Sequence, residues 1–63
     1  MPADLTGAVL RGADLSGADL KRAVLAGADL GRAILHGAQT RQIDLTEANL
    51  TGVRGLILDD QAA

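Results

Sequence analysis

Residues 3–37 read ADLTG, AVLRG, ADLSG, ADLKR, AVLAG, ADLGR, AILHG, and the same frame continues as AQTRQ, IDLTE and ANLTG to residue 52. It then fades into VRGLI at 53–57. Nine of these ten units begin with Ala, and nine carry Leu in third place. A short strict period marks a repeat architecture, in which each unit buries its apolar side only by stacking on its neighbours.

The spacing decides which backbone carries the repeat. Ala, Leu and Arg favour helix, but five helical residues advance about 500°, a net rotation of about 140°. Leu5, Leu10, Leu15 and Leu20 would then scatter around the cylinder, and no apolar stripe would form. Extended backbone fits within a unit: Ala3 and Leu5 share one face while Asp4 takes the other. Ala8 follows Leu5 by three residues, an odd step that a straight strand would send to the Asp face. For every Ala and Leu to face one interior, the chain must bend once per unit. Thr6-Gly7, Arg11-Gly12, Ser16-Gly17, Ala26-Gly27, His36-Gly37 and Thr51-Gly52 are suited to that bend. Extended segments joined by regular bends around a filled interior make a β-helix.

The A(D/N)LxG pattern over residues 3–52 resembles the pentapeptide repeat family. That resemblance implies an all-β fold, a right-handed quadrilateral parallel β-helix (a β-solenoid) of about three coils with one pentad per side. Residues twenty apart then stack. Leu5, Leu25 and Leu45 form one central column, and Leu10, Leu30 and Leu50 a second. Leu15 and Leu35 begin a third; Leu20 is followed by Thr40, the one broken centre. Ile43, in the pentad after Thr40, either fills volume that Thr40 leaves or reflects decay of the repeat.

Sixty-three residues allow one domain, 1–63, with repeats at 3–52 and a C-terminal cap at 53–63. The tail Gly55-Leu56-Ile57-Leu58-Asp59-Asp60-Gln61 is suited to fold over the last coil, its apolar residues inward and Asp59 and Asp60 toward water. Met1-Pro2 is too short to cover the first coil. An open first coil implies self-association, a protein partner packed end-on, or continuation in a longer chain; a homo-oligomer is the expectation. Whether Leu56 slips into the central site that Gly55 vacates, or the coil ends there, is left open by the sequence.

The side chains give little chemistry. Asp4, Asp14, Asp19, Asp29 and Asp44 recur with the repeat on an outward surface, whereas general acid–base work needs groups converging on a cleft. His36 is the one histidine, and there is no Cys, so no metal-ligand set assembles. No enzyme activity, cofactor, metal or small-molecule substrate is expected. The absence of Phe, Tyr and Trp removes the stacking platforms of single-strand nucleic-acid binders, and direct nucleic-acid binding is not expected. No apolar run approaches a membrane span, and a cytoplasmic location is the expectation.

Six basic residues oppose six acidic ones before the tail, so the net charge of −2 comes from Asp59 and Asp60. In the stacked register Lys21, Arg22 and Arg41 share one face with only Asp19 against them, a candidate interaction face. Arg11 and Arg32 lie on another face beside Asp29. Val9, Val24 and Ile34 occupy second positions on three different faces. The sequence thus points to a structural or protein-interaction module. The family resemblance adds an alternative, a DNA-mimic protein that binds DNA gyrase through acidic surfaces.

Overall fold

A computed structural model describes residues 2–58. Its backbone answers the parity problem with one bend per pentad. The amide of Ala8 donates to the Leu5 carbonyl at 2.9 Å, and the same three-residue closure recurs from Ala13 to Leu10 and onward to Val53 and Leu50. The residue before each closing amide lies at positive φ: Gly7 at 70°, Gly17 at 72°, Gly37 at 75°. Positive φ at the third turn residue alone defines a type II turn, which explains Gly there. Four pentads place another residue at that site, with Arg22, Arg32, Gln42 and Glu47 between 56° and 62°. The bend therefore persists where Gly is absent.

Each turn leads into a short extended side that pairs with a side twenty residues away. The parallel pairs are Asp4 with Val24, Val9 with Asp29, Asp14 with Ile34 and Asp19 with Gln39, followed by Val24 with Asp44, Asp29 with Asn49 and Ile34 with Arg54. Four sides thus precede each return, and the chain is a four-sided β-solenoid. Pairing is limited to one residue pair per side because the turn intervenes on both flanks. The first coil is 3–22, the second 23–42, and residues 43–54 stack on the second.

The hydrogen bonding is nearly closed within the repeat. In the second coil the amide of Asp29 donates to Ala8, that of Leu30 to Asn49 and that of Arg32 to Thr51, while Ala33 closes the turn on Leu30. First, second, third and fifth amides of a pentad are thereby satisfied by backbone.

Inside, Leu25, Leu30, Leu35, Ala23, Ala28 and Ala33 are buried, with Leu20 just behind. Leu5, Leu10 and Leu15 below, and Leu45 and Leu50 above, pack against this core while remaining half-exposed. The centre of the stack is dry and its ends are not, as expected when each coil covers only its neighbours.

Thr40 occupies the central position of its side and is 1% exposed. Its hydroxyl donates to the carbonyl of Ile57. A leucine there would fill space but leave that carbonyl without its donor, so Thr40 anchors the closing segment. Ile43 packs against the core beside it. The twenty-residue register holds through Arg54, and at Gly55 the chain leaves it, with φ at 76°. Leu56 then turns in against the core, whereas Ile57 is 71% exposed. Of the lid expected from Leu56-Ile57-Leu58, Leu56 packs on the core and Ile57 does not. The expected outward placement of Asp59 and Asp60 falls outside the described residues.

Candidate functional site

The second-position carboxylates have a local task. Asp4 Oδ1 accepts from the Thr6 amide at 3.1 Å and from the Thr6 hydroxyl at 2.7 Å. Asp14 does the same with Ser16, Asp44 with Thr46, and Asn49 with Thr51. Asp19 takes the amide of Lys21, and Asp29 that of Gly31. Asp and Asn side chains that bond an amide two residues on make an Asx turn. The fourth amide of the pentad is the one the backbone leaves unpaired, and this carboxylate serves it. The D-x-x spacing within ADLxG carries that signal, which reading the carboxylates as merely outward-facing overlooks.

These bonds favour the ionised form. Thr6 hydroxyl and amide hold the Asp4 carboxyl below its ordinary value, and Ser16 and Thr46 do so for Asp14 and Asp44. Asp29 is lowered chiefly by the Gly31 amide, assisted by Arg11. A carboxyl whose folded pKa is depressed stabilises the fold fully above its unfolded value and loses that contribution as pH falls through the folded one. The unfolded value here is 3.8. Thermal unfolding is accordingly expected at a steady midpoint above about pH 5 and at falling midpoints below it. A midpoint that does not move between about pH 5 and pH 2 would remove the Asx bonds from the account of stability.

Asp29 also links three levels. Arg11 reaches its Oδ2 at 3.2 Å, and Asn49 donates to its Oδ1 at 3.0 Å. Gly31 lies beneath the guanidinium, where a Cβ would come within 3.1 Å of Arg11. Arg32 lies apart from this network, one residue further around the bend.

The faces differ in charge. No two carboxylates stack in neighbouring coils: Val24 separates Asp4 from Asp44, Ile34 follows Asp14, Gln39 follows Asp19, and Asp29 lies between Val9 and Asn49. The outward Val9, Val24 and Ile34 act as neutral spacers at about 4.8 Å intervals. At one corner the pattern is basic instead. Lys21 and Arg41 occupy the same place in successive coils, and Arg22 Nε donates to Gln42 Oε1 at 3.2 Å. With Pro2, Ala3 and Asp19 they line a shallow, open groove. Among the described residues this is the only bend position at which both levels carry a side chain in the left-handed region, Arg22 and Gln42.

His36 lies in a bend against Gly55. Among the described residues no group of three or more His, Cys, Asp or Glu is placed to hold a metal ion. No helix there is long and apolar enough to cross a membrane.

Comparison with known proteins agrees with this geometry. The sequence matches the profile of Pentapeptide repeats (8 copies) over residues 3–39 and 25–54. Comparison with curated proteins finds no match. Among solved structures, the chain is similar to a pentapeptide repeat protein, Rfr23, from the cyanobacterium Cyanothece 51142, at 45% identity and a TM-score of 0.80. That alignment covers 81% of this chain but 35% of the cyanobacterial one, so the chain spans about a third of its length. By its repeat and its solenoid fold, the chain belongs to the pentapeptide repeat family.

Proposed function

We propose that this chain is a non-enzymatic structural and protein-interaction module, a right-handed, four-sided solenoid of about three coils that holds surface residues in fixed positions. The observation that carries the reading is the corner of Lys21, Arg22 and Arg41. Repeat stability favours Gly at positive φ and small hydroxyl residues before it, as in Thr6-Gly7 and Ser16-Gly17. At this corner both are given up at two levels, and like charges are stacked on each other. A local departure from the stabilising pattern at an exposed groove supports a contact surface. Three cations with one nearby carboxylate suit an acidic protein surface, bound through exposed and therefore salt-sensitive contacts.

The test separates contact from fold. Lys21→Thr, Arg22→Gly and Arg41→Thr together restore the repeat's ordinary residues. The triple variant is expected to keep its stability or gain up to about 2 kcal/mol, since a Cβ in the left-handed region costs about 1–2 kcal/mol. Polyglutamate titrated at low salt should bind the parent chain and not the variant. A destabilised variant, or equal binding by both, would overturn the reading. A gyrase-directed DNA mimic has less support, because no column of paired residues stacks two carboxylates on successive levels.

A further inference from the structure

At the corner of the square section opposite Lys21, Arg22 and Arg41 lies a second shallow, open groove, lined by Arg32, Ile34, Gly52 and Arg54. The register sets its two arginines on different levels, since Arg32 belongs to the second coil and Arg54 to the residues stacked on it. Gly52 brings them together. It stands directly above Arg32 in the column Gly12, Arg32, Gly52, and a Cβ on it would crowd the Arg32 Cγ at 3.3 Å. With no Cβ there, the Arg32 side chain leans up the stack toward the level of Arg54. Arg54 is itself a departure from the repeat. It is the one basic residue among second positions that otherwise hold Asp, Asn, Gln, Val or Ile.

Both arginines are exposed, and among the described residues neither side chain has a hydrogen-bond or ion-pair partner. The carboxylate closest to Arg32 along the chain is Asp29, whose oxygens are taken by Arg11, the Gly31 amide and Asn49. On the side of Arg54, the half-buried Ile34 stands between it and Asp14. Two cations therefore share a groove in which no described carboxylate answers them.

The chemistry of the pair selects among anions. A guanidinium grips an oxyanion best through a fork of two parallel N–H bonds. A carboxylate has one edge for such a fork. A phosphate monoester has three terminal oxygens, enough to engage two forks at once, and a charge of about −1.5 to −2. The sequence holds no Phe, Tyr or Trp on which a base could stack, so a nucleotide finds little beyond its phosphate. Ile34 instead gives the groove an apolar floor beside the cations. We infer that this groove binds a phosphorylated peptide segment, with the phosphate of a phosphoserine or phosphothreonine clamped between Arg32 and Arg54 and a neighbouring apolar side chain resting on Ile34.

Fluorescence anisotropy tests this with a labelled peptide that carries phosphoserine next to leucine, and with the same peptide bearing glutamate at that place. The phosphopeptide should bind at least about tenfold tighter than the glutamate peptide. Arg32→Gly and Arg54→Asn each restore a residue that the repeat uses at the equivalent place in a pentad, as in Gly52 and Asn49, and thermal unfolding checks that the fold is kept. Each should weaken the phosphopeptide about tenfold. Arg54→Lys keeps the charge but removes the fork, and should lose most of the preference for phosphoserine. Inorganic phosphate should displace the labelled peptide only at far higher concentration than unlabelled phosphopeptide does. Equal affinity for the two peptides, binding unchanged by the arginine substitutions, or equal displacement by inorganic phosphate would each overturn the inference. The variant Lys21→Thr, Arg22→Gly and Arg41→Thr leaves this groove intact and should still bind the phosphopeptide. Loss of binding there would put the phosphate at the opposite corner and also overturn it, whereas the polyglutamate titration judges that corner separately.

Discussion

Leu25→Ala is expected to destabilise the fold by about 2–5 kcal/mol on denaturant titration. Leu25 is 1% exposed and belongs to the column of Leu5 and Leu45, with coils on both sides of it. Its removal costs the transfer energy of the lost carbons and leaves a cavity. The cavity cannot collapse readily, because the ladder bonds of Leu25 to Asp44 and of Val24 to Ala3 hold the coil spacing. A chain of this size has a total stability of about 3–9 kcal/mol, so the variant should be largely unfolded at moderate denaturant. Leu5→Ala serves as the comparison. That leucine is half-exposed on the open rim and should cost markedly less. A Leu25→Ala loss below about 1 kcal/mol would mean that the central column is not where the stability resides.

The second large effect is expected at the exit from the coil. Gly55 lies at φ 76°, and a Cβ built there would overlap His36, with Cγ at 2.8 Å and Cα at 2.9 Å. The His36 backbone cannot move aside without breaking the bond between the Gly17 amide and the His36 carbonyl. Gly55→Ala therefore combines a left-handed penalty of about 1–2 kcal/mol with overpacking of about 1–3 kcal/mol. A total of about 3 kcal/mol should appear on denaturant titration. Gly7→Ala is the control, since it has the same sign of φ with nothing within 4 Å of the added carbon. Equal losses at Gly55 and Gly7 would show that the turn penalty is the whole effect and that the packing on His36 contributes nothing.

The sequence displays some of this architecture plainly and conceals the rest for physical reasons. The inward columns and the bend per pentad follow from parity, because Ala and Leu can share an interior in no other way. The number of sides does not follow from parity; it came from the family resemblance, and the pairing of residues twenty apart gives it directly. The Asx bonds of Asp4, Asp14 and Asp44 were legible in principle from an Asp two places before a Thr or Ser. Their regular outward recurrence made them look like solvated surface. Thr40 was visible as a broken column, but its partner was not. That partner is a backbone carbonyl at Ile57, which carries no sequence signature. Arg22, Arg32, Gln42 and Glu47 hide the left-handed turn because the bend is imposed by the coils rather than chosen by the residue. The grouping of Lys21, Arg22 and Arg41 emerged once a twenty-residue register was assumed.

The spacing of neutral residues between the carboxylates also works as a frame marker. Excising the single pentad 23–27 would leave every leucine pointing inward, so the interior alone cannot detect the error. The outer columns would detect it at once. With five residues missing, Asp4 would come to lie under Asp29 and Asp19 under Asp44, two like-charged stacks where the intact chain has none. Loss of a whole twenty-residue coil moves no residue to a different side, and the repeat can therefore change in length by coils more readily than by pentads. In this chain the apolar residues say that the polypeptide must wind, and Val9, Val24, Ile34 and Gln39 keep count of where each winding ends.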